Sequence, residues 1–350
     1  MNRSNRPGLE LRIAGIDVAA AIAPHLVPGA VAFGEPRFQG LTLTEKLEEE
    51  ADELEFTLSN HPGAAGAIVD TIRRGAEVEL ALGWIAGAEV PIGLVDKGRF
   101  LVDEVNEEGP PDRITVRARS ADLTGRYRKR KDRSWNGGTL SDLMSAIATD
   151  NGLAAAVHPD LAARQVDSLE QAAKSDAALV RDLGERFDAA ATVKSGRLIF
   201  LPIGAETNAA GEPFEERILS RIGNARYSFT VADREEHDGA EAQWDDRSAA
   251  AKRTVTIGPG SNPRRVARKF ATEGEAREAA EMAARRDARG RFEFSYEVPL
   301  GDPSIAPNQR IRLEGWRSEI VEQNWLVSEV SHTLDGGSGL RTSLSLKSLA

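Results

Sequence analysis

The sequence contains no cysteine. Disulfides, thiolate metal sites and a cysteine nucleophile are therefore all excluded. No stretch of the chain approaches the roughly 18 apolar residues that a membrane span needs, and MNRSNRPGLELRIAG at the N-terminus lacks the apolar core of a signal peptide. The chain is accordingly expected to be made and to fold in a cytoplasm, with no membrane insertion. Basic residues are in deficit, 45 against 55 acidic ones, for a formal charge of −10. Affinity for a duplex comes mainly from clustered Lys and Arg that release counterions, so a general DNA-binding role is disfavoured.

A chain of 350 residues exceeds the usual size of one hydrophobic core, and two or three domains are expected. RFQGLTLTEKL, DELEFTLSN, AEVELALGW, GRFLVDEV and DRITVRARS alternate apolar with polar side chains, the period of a sheet with one face buried. The stretches between them, NHPGAAG, RRG, IAGAEVPIG and NEEGPPD, carry the turn formers that strand reversals require. From Thr139 the period changes: Leu140, Leu143, Met144 and Ile147 fall at helical spacing, with Thr139 as N-cap, Asp142 in the first turn and Gly152 as the stop. A second helix, SDAALVRDLGERF, starts at Ser175 or Asp176 and is expected to bury Ala178, Leu179, Leu183 and Phe187. Two short strands around a KSGR turn follow.

IGAETNAAGEPFEER reads as a linker, and strand patterns resume at ARYSFTVAD and KRTVTIGPG. One long Ala- and Arg-rich helix, TEGEAREAAEMAARRDARG, precedes a β tail of RFEFSYEVPL, QRIRLEGW, NWLVSEVSH and LRTSLSLKSL. The expected fold is mainly β with an α+β insertion: two related β-barrel-like domains, residues 1–133 and 218–350, flank a small α+β domain at 134–217.

The relation between the two barrels rests on a repeat. VELALGW, FLVDEV and RITVRARSA recur in the same order as RIRLEGW, WLVSEV and RTSLSLKSL, and the third pair aligns Arg113 with Arg341, Val116 with Leu344, Arg119 with Lys347 and Ser120 with Ser348. Aligned on their Gly-Trp pairs, the first strands of each set are out of apolar phase by one residue. The plainer alternative is that antiparallel meanders look alike because a two-residue period restricts the alphabet. Two similar barrels in one chain would give a ring of six modules if three copies associated around an axis, although a repeat alone does not specify oligomeric state.

Local motifs for chemistry are sparse. His25, His61, His158, His237 and His332 lie far apart, none in an HExxH or HxxxH spacing, and read as surface or structural. The acidic run EKLEEEADELE reads as a solvated face. A GxSxG elbow, a Walker A loop and a GxGxxG turn are missing, and IGPGSNPRR reads as an exit from a strand. No catalytic, cofactor-binding or metal-binding residue is singled out. The best nucleic-acid candidate is Arg126, Arg128, Lys129, Arg130, Lys131 and Arg133, interleaved with Tyr127 and Trp135. Its plainer reading, a connector or salt-bridging contact, is preferred because no polar recognition helix follows.

AEVELALGW…GRFLVDEV…RITVRARSADLTG…DRSWNGGTLSDLMSAIATDNGL, then SDAALVRDLGERFDAAATVKSGRLIF and TEGEAREAAEMAARRDARG…LEGW…NWLVSEVSH…TSLSLK, resemble the late control protein D family of contractile-tailed phages. These are baseplate hub proteins related to the N-terminal part of VgrG spikes, and the resemblance runs from about residue 35 to the end. It implies a structural, non-enzymatic homotrimer without cofactors that joins a sixfold tail tube to a threefold spike. Implied partners are the spike, the tube or a tube adaptor, other baseplate proteins and the tape-measure protein, with no specific nucleic acid. The implied location is the baseplate of a virion tail or tail-like particle, assembled in the host cytoplasm. Two other classes compete: a tail-associated cell-wall-degrading enzyme, given the many carboxylates, and a DNA-binding late regulator resting on Arg126 to Arg133.

Overall fold

The computed structural model describes residues 5–29, 37–47, 51–60, 72–120, 125–194, 196–214, 217–231, 237–246, 249–335 and 339–349. His61, nearly all of the NHPGAAG turn and Glu48 to Glu50 of the acidic run lie outside them. The first part holds β1 (Arg6–Ile13), β2 (Ile16–Asp17), β3 (Phe38–Lys46), β4 (Glu53–Ser59), β5 (Glu77–Ala86), β6 (Gly93–Glu108) and β7 (Arg113–Ser120). The middle holds β8 (Arg130–Trp135), β9 (Gly138–Thr139), β10 (Ala154–Val157), β11 (Gln165–Val166), β12 (Leu169–Ser175), β13 (Ala189–Lys194) and β14 (Arg197–Pro202). The last part holds β15 (Arg217–Ser220), β16 (Tyr227–Val231), β17 (Ala240–Asp246), β18 (Ala251–Ile257), β19 (Arg264–Phe270), β20 (Phe292–Val298), β21 (Arg310–Glu314), β22 (Trp325–Asp335) and β23 (Gly339–Ser348). The protein is mainly β, as expected.

The middle helices form where capping chemistry and periodicity coincide. Leu140–Asp150 begins with a capping box in which Thr139 and Asp142 satisfy each other's backbone N–H groups, and it buries Leu140, Leu143, Met144 and Ile147. Asp176–Phe187 is capped by Ser175 and buries Leu179, Val180, Leu183 and Phe187; Ala178 is only half-buried, and the buried first-turn position belongs to Asp176 instead. β10 joins β14 in parallel, a pairing that the sequence AAAV did not announce.

The repeat is real at the level of register. Phe100, Leu101 and Val102 of β6 face Ser120, Arg119 and Ala118 of β7; then one residue, Asp103, is bulged out before Glu104 faces Arg117. Trp325, Leu326 and Val327 of β22 face Ser348, Lys347 and Leu346 of β23, and Ser328 is bulged out before Glu329 faces Ser345. The bulge falls at the same place in FLVDEV and WLVSEV, and the pairings reproduce the alignment of Arg113 with Arg341 and Ser120 with Ser348. Bulges are designed features of a strand rather than defects, so two coincident ones are a far stronger sign of relationship than the shared letters.

The likeness extends to the flanking strands. β4 pairs with β7 as β20 pairs with β23, which makes Leu54, Phe56 and Leu58 the counterparts of Phe294, Tyr296 and Val298, all buried. β3 on β4 then matches β16 on β20, with Leu41 and Leu43 opposite Phe56 and Leu54 where Tyr227 and Phe229 face Tyr296 and Phe294. Each unit therefore has the same internal order, β3-β4-β7-β6-β5 and β16-β20-β23-β22-β21. The Gly-Trp pairs are not equivalent: Leu101 faces Glu77 and Leu326 faces Arg310, which matches Ile311 with Val78 and accounts for the one-residue phase offset. Trp84 lies within β5, with its indole Nε1 donating to Gly301 O at 2.8 Å, whereas Trp316 lies beyond the end of β21.

Each unit encloses its own core, Leu9 to Ala118 with Leu334 and Leu340 in the first and Phe294 to Leu346 in the second. Between β16 and β20 the second unit carries an insertion, the three-stranded sheet β18-β17-β19, on which the helix Glu273–Ala288 packs Ala276 and Ala280. Only the helix and β18 of this insertion were legible as separate elements. Phe100→Ala and Trp325→Ala remove equivalent, fully buried side chains and are each expected to cost about 3–5 kcal/mol. Urea denaturation measures both, and a loss under about 1 kcal/mol at either position would contradict their equivalence in the two cores.

Candidate functional site

The sheet branches at β22. Before the bulge, Trp325 and Leu326 pair with Ile311 and Arg310 of β21. After it, Glu329 to Asp335 pair antiparallel with Lys46 to Gly40 of β3, so the second unit's sheet runs on into the first. β6 divides in the same way up to its own bulge, Leu101 pairing with Glu77 of β5. Beyond that bulge Glu104 to Glu108 pair with β7 alone, and among the described residues no strand occupies the other edge. β16, at the far end of the sheet, pairs with β20 alone.

Where β22 meets β3 the core contains charge. The alternation of β3 that buries Leu41 and Leu43 also buries Glu45, which is 1% exposed. Lys97 Nζ donates to its Oε2 at 2.5 Å, Lys194 Nζ donates to its Oε1 and lies 3.5 Å from Asp52, and His332 Nε2 lies 3.5 Å from Oε2. That last distance is at the limit for a hydrogen bond, and the Ile305 backbone also acts on the ring; Nδ1 of the same ring is bonded to Thr342 Oγ1 at 2.9 Å. Burial pushes the Glu45 carboxyl up, but His332, Lys194 and Lys97 together outweigh it and hold the carboxyl well below its ordinary range. Burial holds the His332 imidazole low, with Lys97 acting in the same direction against the pull of Glu45. The cluster ties together both units, through Glu45 and His332, and the middle region, through Lys194 of β13.

This corrects the reading of EKLEEEADELE as a solvated face. Glu45 and Asp52 are turned inward and partnered, while Glu53 and Glu55 reach Arg119 and Arg117 on the solvent face. The strand period of Leu41, Leu43 and Glu45 was the signal that could have found it.

Two members of the basic run, Lys131 and Arg133, are engaged within the chain, while Arg126, Arg128, Lys129 and Arg130 stay exposed. Lys131 Nζ and Arg133 Nη2 each lie 2.5 Å from the carboxylate of buried Asp176, and Arg133 also reaches Asp150 at 2.5 Å. Burial raises the Asp176 carboxyl, but hydrogen bonds from Asn151, Lys131 and Gln171 and the charge of Arg133 bring it below its usual value. The Arg133 guanidinium covers Trp135 at 4.1 Å from the ring centroid, and Tyr127 is buried in the middle core. Both aromatic side chains proposed to stack on bases are thus occupied, which favours the salt-bridging reading.

Of the histidines, His158 caps the short helix Pro159–Ala162 and contacts Thr207, and His237 sits beside Asn262 O at 3.1 Å. Among the described residues no group of three or more His, Asp or Glu side chains is arranged to hold a metal ion. A cleft between the first unit and the middle region is lined by Lys46, Asp52, Tyr127, Arg181 and Arg286. The chemistry these surfaces offer is strand pairing and ion pairing.

No protein-family model matches the chain. It is 33% identical over 352 residues to the probable baseplate hub protein of Escherichia phage 186, covering 89% of this chain and 88% of that protein. It is 31% identical over 351 residues to the probable baseplate hub protein of Escherichia phage P2, with the same coverage. Among solved structures, its fold is similar to that of a tail protein from Neisseria meningitidis MC58, with a TM-score of 0.66 at 11% identity over 98% of this chain and 96% of that one. It is also similar to that of an E. coli type VI secretion component described as resembling the phage T4 tail proteins gp27 and gp5, with a TM-score of 0.52 at 11% identity over 97% of this chain and 77% of that one.

Glu45→Gln leaves buried Lys97 without its counter-charge and half-buried Lys194 with Asp52 alone, and is expected to cost about 3–5 kcal/mol at pH 7. Because the folded carboxyl is held low, its contribution is complete above the unfolded value of about 4.3 and is lost as pH falls through the folded one. The gap between the two proteins in urea denaturation should therefore narrow between pH 5 and pH 3; a gap independent of pH would contradict the assignment.

Proposed function

The chain belongs to the family of baseplate hub proteins represented in phages 186 and P2, and on that premise we propose that it is the structural hub of a contractile tail or tail-like particle. Three copies surround the tail axis, and their six related units match the symmetry of a sixfold tube on one side while the trimer matches a threefold spike on the other. The observation that carries this reading is the repeat, with the same strand order, register and bulge in both units. A single chain holding one unit twice is what a threefold object needs in order to present six similar edges.

The partners proposed are the spike, the tube or its adaptor, other baseplate proteins and the tape-measure protein, met during assembly in the host cytoplasm. The role is non-enzymatic. Regulation through DNA is not adopted, since Lys131 and Arg133 are engaged by Asp176 and Asp150 and both aromatic side chains of the run are occupied.

Quantification of purified particles should find three copies per tail, at the junction of tube and spike, and native mass spectrometry of the isolated protein should find three times the 37.8 kDa chain mass. A soluble monomer absent from particles would sink the proposal. Peptidoglycan zymography is expected to show no clearing; a cleared band lost on mutating one carboxylate would favour the lytic enzyme instead.

A further inference from the structure

The chain carries one junction between units in filled form and the two halves of a second one, empty. In the filled junction, Val330, Ser331, His332 and Thr333 of β22 face Glu45, Thr44, Leu43 and Thr42 of β3. The register equivalences make Val105, Asn106, Glu107 and Glu108 of β6 the counterparts of the first four, and Val231, Thr230, Phe229 and Ser228 of β16 the counterparts of the second four. Both are edges without a described strand partner.

We propose that β6 of one copy pairs antiparallel with β16 of a second copy, placing Val105 opposite Val231, Asn106 opposite Thr230, Glu107 opposite Phe229 and Glu108 opposite Ser228. This rests on the reading of the protein as a self-associating hub and specifies how its copies join. Main-chain hydrogen bonding between open strand edges is a general mode of association, and the bulge at Asp103 turns β6 away from β5 at the point where the new partner would begin, as the bulge at Ser328 hands β22 from β21 to β3.

Burial separates the two junctions. Leu41, Leu43 and Glu45 are all under 3% exposed beneath β22, whereas Tyr227 and Val231, the counterparts of Leu41 and Glu45, are 42% and 47% exposed. These are large apolar side chains on an edge strand that lacks the lysine, proline or bulge by which solitary edges are kept from pairing. Charge agrees as well. Glu107 would arrive at Phe229, whose ring is covered by the Arg317 guanidinium at 5.0 Å, and two opposite charges would meet where β22 sets His332 over Leu43. A head-to-tail contact of this kind joins different surfaces of successive copies, so it closes into a ring or continues as a filament.

The absence of native cysteine permits a direct test. The double variant Asn106→Cys with Thr230→Cys is oxidised and run on a non-reducing gel. Its internal control is Thr44→Cys with Ser331→Cys, at the equivalent place in the filled junction, where the two native hydroxyl oxygens lie 3.5 Å apart. The control should close within one chain, proving that the fold and the chemistry are intact. The test pair should convert most of the protein into a covalent trimer that reductant collapses, and a pair displaced by two residues, Glu108→Cys with Thr230→Cys, should give far less. A ladder extending beyond three copies would support the pairing and overturn the threefold closure. A trimer by native mass that gives no cross-link with the test pair would overturn the strand pairing and leave the trimer standing, and a monomer by both measures would overturn both.

Discussion

Everything in this architecture turns on one strand that gives a single edge to two partners. An edge of β22 serves β21 up to Leu326 and β3 from Glu329 onwards, and the hand-over occurs at Ser328, the extra residue of a bulge. A regular strand offers its edge to one neighbour; an inserted residue bends it and raises its twist, so that the two stretches point at different partners. With that bend, both units share one thirteen-stranded sheet.

The junction so formed is unusual in its chemistry. An apolar pair would have sufficed to bury the β3 positions under β22, yet the protein places Glu45 there and surrounds it with Lys97, Lys194 and His332. Such clusters contribute little net stability relative to a well-packed apolar core, but a missing or misplaced member is costly. Because its members come from β3, β6, β13 and β22, the network is complete only when both units and the middle region are docked together. The exposed charges follow another rule: Arg117 with Glu55 and Glu104, and Arg119 with Glu53 and Asp103, form cross-strand ion pairs on the face turned to solvent.

Much of this was legible in the sequence, for identifiable reasons. Strands with one buried face announce themselves by alternation, as in Leu54, Phe56 and Leu58, and the capping box of Thr139 and Asp142 marked its helix to the residue. The repeat was readable because an equal bulge, and the shared burial of Phe100 and Val102 with Trp325 and Val327, select similar letters in FLVDEV and WLVSEV. Phase misled where an identical dipeptide attracted the alignment: Gly-Trp stands inside a strand at Trp84 and beyond one at Trp316. β17 and β19 escaped notice because the small sheet they form is covered by one helix only, leaving too few buried positions, such as Ala240, Ala242 and Phe270, to set a period. Glu45 escaped because a charge in an acidic run is ordinarily solvated, and only its distant partners at positions 97, 194 and 332 reverse that expectation. What pairs with an open edge in another copy is invisible in one sequence until the internal junction supplies a template.

The most direct measurement of the central claim, that one strand unit used twice allows three chains to act as six, is a cryo-electron microscopy reconstruction of the assembled baseplate without imposed sixfold symmetry. The account predicts a continuous ring of sheet at the hub in which the β22–β3 junction within a chain alternates with a β6–β16 junction between chains, three of each. Hub sheets separated by gaps at β16, or a ring built from any number of chains other than three, would contradict it.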